Sequence, residues 1–199
     1  MEDEFPMSTP KFLAFAGSLR TESYNKKLAK IAARAVETAG GSVTVIDLRD
    51  LALPLFDQDV EDAGGLPEGA KRLKALMVES DGFIIASPEY NSSITAALKN
   101  AIDWASRSES DDEPDLLAYR GKTAALFSAS PGALGGMRAL VTLRWVLGNI
   151  GVHVLPEQVT ISAAYDAFDE AGQLKDDSKA KRVAGLAKQL VDFTVKHKA

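Results

Sequence analysis

Gly82-Phe83-Ile84-Ile85-Ala86-Ser87-Pro88-Glu89-Tyr90-Asn91-Ser92 decides the fold. Its first half is apolar almost without interruption, as in a strand buried on both faces of a sheet. Its second half is a polar turn stiffened by Pro88, and a helical pattern follows at 94–106. Strand, turn and helix in that order are the building unit of open α/β sheets, whose ligands lie just beyond the carboxyl ends of the strands.

The same unit recurs along the chain. Residues 11–16 read as a first strand, and 25–38 as a helix with Leu28, Ile31, Ala32, Ala35 and Val36 on one face. Residues 42–47 read as a second strand, 48–66 as a long connection, and the stretch after Pro67 as a helix carrying Leu73, Leu76 and Met77. A fourth strand begins at 123, a helix spans 136–149, a fifth strand begins at 152 and a last helix spans 178–195. Residues 158–177 read as an irregular tail lying over the core. Five such alternations predict a doubly wound parallel sheet of five strands with helices on both faces. No repeat or linker divides the chain, so residues 1–199 read as one domain, with 1–9 flexible.

Composition narrows the chemistry. A net charge of -5 argues against general binding of nucleic acid, which needs a basic face. The chain has no Cys, which excludes thiolate catalysis, disulfides and Cys-held clusters, and its 2 His exclude a metal site built on several histidines. The acidic N-terminus lacks a signal-peptide pattern and no apolar run is long enough to span a membrane, so a cytoplasmic protein is expected.

Three turns carry the candidate site. The first is Gly17-Ser18-Leu19-Arg20-Thr21-Glu22-Ser23-Tyr24-Asn25. A helix start offers free amides and a positive dipole end, Ser18 and Ser23 add hydroxyls, Arg20 adds a charged fork, and Asn25 can cap. That suits a phosphate monoester. No Gly-Lys-Ser/Thr follows this turn and Gly-x-Gly-x-x-Gly is missing, which disfavours nucleoside triphosphatases and dinucleotide folds.

In the second turn, the amides from Glu89 to Ser92 can meet the polar edge of a flat ring, and Tyr90 can cover it. The third, from Ser128 to Gly136, offers Ser130 and three glycines, Gly132 and Gly135 among them, for close backbone approach. Each turn alone also fits an ordinary loop: Ser23 or Asn25 capping a helix with Arg20 solvated, or a Ser/Asn cap after Pro88. Phosphate cradle and ring platform together point to flavin mononucleotide (FMN).

These stretches resemble the NADPH-dependent FMN reductase family, which includes chromate-, quinone- and azo-reducing flavoenzymes. The similarity runs from about 11 to 155, on Gly17-Ser18-Leu19-Arg20 with Ser23 and Asn25, Leu53-Pro54-Leu55-Phe56-Asp57, Pro88-Glu89-Tyr90-Asn91 and Leu98-Lys99-Asn100-Ala101-Ile102-Asp103-Trp104. The resemblance implies strand order 2-1-3-4-5, with Ser18, Arg20, Ser23 and Asn25 on the FMN phosphate. It implies that Pro88, Glu89, Tyr90, Asn91 and Ser92 meet the ring and that Ser130, Gly132 and Gly135 flank it. NADPH or NADH would be the co-substrate, and a quinone, azo compound, metal oxyanion or flavin the small-molecule acceptor. The flavin carries the chemistry, so no catalytic side chain is named, and a homodimer or homotetramer is implied. The alternative is a flavodoxin-type electron carrier without its own NAD(P)H oxidation. Thr95 stands where the family commonly has Pro, predicting a less rigid helix start. The acidic stretch 108–115 is expected as a solvated connection, Asp103 and Arg107 as a helix-surface pair, and Trp104 and Trp145 as core or interface residues.

Overall fold

The computed structural model describes residues 8–198. The expectation of a flexible 1–9 segment falls mostly on residues outside these. Five strands, β1 (Lys11–Ala16), β2 (Ser42–Val45), β3 (Gly82–Ala86), β4 (Thr123–Ala129) and β5 (His153–Ile161), form one parallel sheet in the order β2-β1-β3-β4-β5. The helices are α1 (Tyr24–Thr38), α2 (Gln58–Gly64), α3 (Glu68–Glu79), α4 (Ala96–Ala105), α5 (Met137–Asn149) and α6 (Asp177–Lys198). The expected order and fold class are those observed.

Alternation along each strand divides the core. Phe12, Ala14, Ala16, Ile84, Ala86, Ala125 and Phe127 face α1 and α6. Leu13, Phe15, Phe83, Ile85, Ala124 and Leu126 face α3, α4 and α5. Every residue of β3 and β4 is buried, which is why they read as unbroken apolar runs. Each large side chain buried this way contributes roughly 1.5–3 kcal/mol.

Two segments differ from expectation. The connection 48–66 contains a 3₁₀ turn, Leu48–Leu51, and α2, each begun by an aspartate (Asp47, Asp57) that accepts a backbone amide two residues on. α2 buries no residue, so it has no apolar stripe to betray it. β5 continues to Ile161, through residues assigned to an irregular tail. Its register against β4 shifts between Ala124 and Leu126, and Pro156 lies in the extra stretch, where an edge strand tolerates it. The remainder of that tail does lie over the core, through Ala164 and Phe168.

Candidate active site

The turns after β1, β3 and β4 meet at one rim of the sheet and line a shared cleft of about 70 Å³. Ser18, Arg20, Ser23, Tyr24 and Asn25 come from the first, Pro88, Glu89 and Tyr90 from the second, and Ala129, Ser130 and Pro131 from the third. Whole small-molecule sites usually enclose roughly 300–1,000 Å³, so this cleft suits one end of a ligand, the rest lying on the open rim.

The first turn is held from both sides. Gly17 N donates to Ala86 O at 2.9 Å, and Gly17 O accepts from Thr95 Oγ1 at 2.6 Å. A Cβ on Gly17 would stand 2.9 Å from Leu98 Cβ, so the bare backbone of the turn packs against the Leu98 side chain of α4. Thr95 also accepts from Leu98 N at 3.1 Å and is the N-cap of α4. The start of α4 is therefore pinned and not loosened by the missing Pro, and the cap is Thr95 rather than Ser or Asn.

Ser18 and Ser23 are buried, while Arg20 is exposed beside the Tyr24 ring, its guanidinium carbon 5.9 Å from the centroid. Arg20 N donates to Ser18 Oγ at 3.3 Å, and Arg20 Nη2 to Glu22 O at 3.1 Å. Ser23 starts α1 with extended backbone, yet its hydroxyl makes no bond to that helix. A buried hydroxyl not turned onto its own helix, a flanking Arg and the first amides of α1 form a donor set that fits a phosphate monoester.

Asn25 is engaged elsewhere. Its Nδ2 donates to Ala129 O at 2.8 Å and its Oδ1 accepts from Ala129 N at 2.9 Å. The side chain pairs with a whole peptide edge of β4 and neither caps α1 nor turns to the cradle. Its role is to fix α1 against the third turn.

In the second turn, Tyr90 and Ser93 exchange backbone bonds of 2.9 and 3.0 Å. Between them Asn91 and Ser92 take left-handed φ values of 52° and 67°, the pattern of a type I′ turn. Asn91 tolerates this conformation, as its sequence position suggested. The turn leaves the Asn91 and Ser92 amides out of its own bonds, and Tyr90 stands exposed beside them. This edge can serve the carbonyls of a flat ring. The Glu89 carboxylate is spent: it accepts from Arg138 N at 3.2 Å and from Arg138 Nε at 2.6 Å, bracing the turn against α5. Glu89 thus offers backbone alone.

In the third turn, Ser130 N donates to Ile161 O at 3.0 Å and Gly132 N to Ser130 Oγ at 3.3 Å. Gly132 is exposed, and a Cβ there would meet nothing nearer than Ser130 Oγ at 3.7 Å. Gly135 differs, for its φ is +60° and a Cβ would lie 2.9 Å from the β5 backbone. Its small size serves packing on β5 rather than approach to a ligand.

Elsewhere, Asp103 pairs with Lys99 and Arg107 with Glu61, not with each other. Stretch 108–115 is anchored to the core, since buried Lys74 donates to Glu113 at 2.6 Å and to Arg107 O at 2.8 Å. Trp104 is fully buried, its indole donating to Pro54 O at 2.8 Å, whereas Trp145 is exposed on α5. Thr95, Arg138 and Arg49, which bonds to Leu19 O, serve the rim although no turn motif contains them; their signals are long-range contacts that local spacing does not carry.

A flavodoxin-like sheet with three polar turns gathered at one rim defines the class. The sequence profile of the NADPH-dependent FMN reductase family matches residues 10–166, and the chain belongs to that family: it is an oxidoreductase of the kind that uses FMN with NAD(P)H. It is 38% identical over 187 residues to an NAD(P)H-dependent FMN reductase of Pseudomonas aeruginosa, covering 94% of this chain and 95% of that one. A quinone reductase of Pseudomonas putida is 35% identical over 82% of this chain and 83% of its own. Among solved structures, the flavoenzyme NAD(P)H:(acceptor) oxidoreductase FerB of Paracoccus denitrificans superposes with a TM-score of 0.78 at 31% identity, covering 95% of this chain and 99% of that one. Among the described residues no helix is long and apolar enough to cross a membrane.

Proposed function

We propose that this chain is an NAD(P)H-dependent quinone reductase in which Ser18, Arg20 and Ser23 hold the FMN phosphate. Pro88 to Ser92 receive the ring, flanked by Ser130 and Gly132. Asn25, Gly135 and the Glu89 side chain build the walls rather than touch the ligand. The observation that carries this reading is the convergence of three turns on one cleft, with buried Ser23 left unused by its own helix. FMN held there would supply the redox chemistry, hydride transfer from NADPH or NADH and reduction of the acceptor.

The chain's part is to bind, orient and shield. Arg20 with two hydroxyls opposes the phosphate charge, and the Asn91 and Ser92 amides fix the polar edge. Tyr90, 53% exposed, is available to cover a planar substrate. The names of the relatives favour a quinone as acceptor, ahead of azo compounds, metal oxyanions and free flavin. We also propose one cytoplasmic domain that works as a homodimer or homotetramer. Met137, Val141 and Trp145 stand exposed at helical spacing along α5, with exposed Leu134 in the turn before it, a patch suited to a second copy.

The test is oxidation of NADPH and NADH by purified protein reconstituted with FMN, with benzoquinone, an azo dye, chromate or free FMN and no partner protein. Quinone-dependent oxidation is expected. Normal FMN binding without oxidation would favour the carrier reading, and failure to take up FMN would refute both.

A further inference from the structure

We propose that Arg49, which lies outside every turn motif, is a positioning residue for the phosphate cradle; this rests on the reading of the first turn as the FMN phosphate site. The base from which it acts is well anchored. Leu48 and Leu51 of the 3₁₀ turn are buried in the core. Asp47 caps that turn, accepting from Arg49 N at 3.0 Å, and also accepts from Lys26 Nζ of α1 at 2.6 Å. From this base the Arg49 Nε donates to Leu19 O at 2.7 Å, and its Nη2 donates to the same oxygen.

Leu19 O belongs to the peptide that joins Leu19 to Arg20, in the middle of the cradle. The amide of that peptide donates to Ser18 Oγ. A trans peptide points its carbonyl and its amide in opposite directions. With the oxygen held by a guanidinium and the N–H held by Ser18, the peptide plane is fixed. A flipped plane would aim the negative end of the carbonyl dipole toward an anion seated beside Ser18 and Ser23. Arg49 opposes that flip and adds a positive charge next to the site. Its side chain lines two surface cavities, of about 560 and 200 Å³, so shortening it opens space to solvent and leaves the core intact.

Fluorescence titration of the apoprotein with FMN and with riboflavin, which lacks the phosphate, isolates this effect. The ratio of the two affinities reports phosphate recognition alone. Arg49→Ala is expected to lower the FMN-to-riboflavin ratio by roughly tenfold, with riboflavin affinity unchanged. If Arg49→Ala fails to fold, Arg49→Gln supplies the same ratio. A ratio unchanged in the Arg49 variant but lowered by Arg20→Ala overturns the role of Arg49 and leaves the phosphate site standing. A ratio unchanged in both overturns the phosphate site itself. Equal weakening of FMN and riboflavin marks a general structural role and also overturns the proposal.

Discussion

Replacing Asn25 separates wall from ligand contact. Its amide satisfies both Ala129 N and Ala129 O, two backbone groups of a residue only 3% exposed. Asn25→Ala strands both. A buried polar group left without a partner costs about 1–3 kcal/mol, so the pair costs about 2–6 kcal/mol. Ala129 borders the cleft, where water can reach one of the two groups, which favours about 3 kcal/mol. A domain of this size has about 5–15 kcal/mol in hand, so the variant folds but melts about 6–12 °C lower. Asn25→Asp keeps the shape but sets a carboxylate oxygen against Ala129 O, and should be no more stable than the alanine variant at neutral pH. Urea unfolding of the FMN-free protein measures the effect, with the slope checked for constancy. A loss below about 1 kcal/mol, alongside a large drop in FMN affinity, would show that Asn25 touches the phosphate and that the bridge to Ala129 is dispensable.

Arg20→Ala should weaken FMN by roughly tenfold to several hundredfold, the size of one charged contact, in a fluorescence titration. Gly136→Ala should destabilise by more than about 2 kcal/mol in chemical denaturation, since φ is +90° and the new Cβ would stand 1.9 Å from Ser128 Oγ; Gly132→Ala, with open space around it, should stay within about 0.5 kcal/mol of the parent. Burial pushes the Asp47 carboxyl up, but bonds from Lys26 and the Arg49 amide, with both cations nearby, hold it net below its ordinary 3.8. The folded form therefore prefers the carboxylate, and its stabilisation is present above that value and lost as pH falls below it. The stability gap between parent and Asp47→Asn, measured by urea unfolding, should be open at pH 7 and close as the pH falls below about 3.8.

The parts of the fold that could be read from sequence are those set by local pattern. The bounds of β1 and the start of β3 coincide with their apolar runs, and α1 starts within one residue of its stripe. The misses have long-range causes. β5 passes Pro156 because the register shift and the open edge accommodate it, and no local spacing signals either. Asn25 looked like a cap because a cap is what an Asn at a helix start can do locally; its partner is Ala129, across the sheet layer. Thr95 looked like a loss of rigidity because the Gly17 carbonyl that it holds lies in another turn. The residues of the first and second turns were visible as types, but which atoms remain free for a ligand depended on these distant partners.

The rim is laced in sequence order: Gly17 to Ala86, Ser87 to Phe127, Ser128 to Ser87, and Ser130 to Ile161 at the last strand's end. During synthesis the amino-terminal turn emerges early, yet the residues that hold it in shape, Arg49, Ala86 and Thr95, arrive later, and Ala129, which Asn25 grips, later still. A nascent polypeptide halted before residue 129 thus lacks the third wall of the cleft, which Ala129, Ser130 and Pro131 supply.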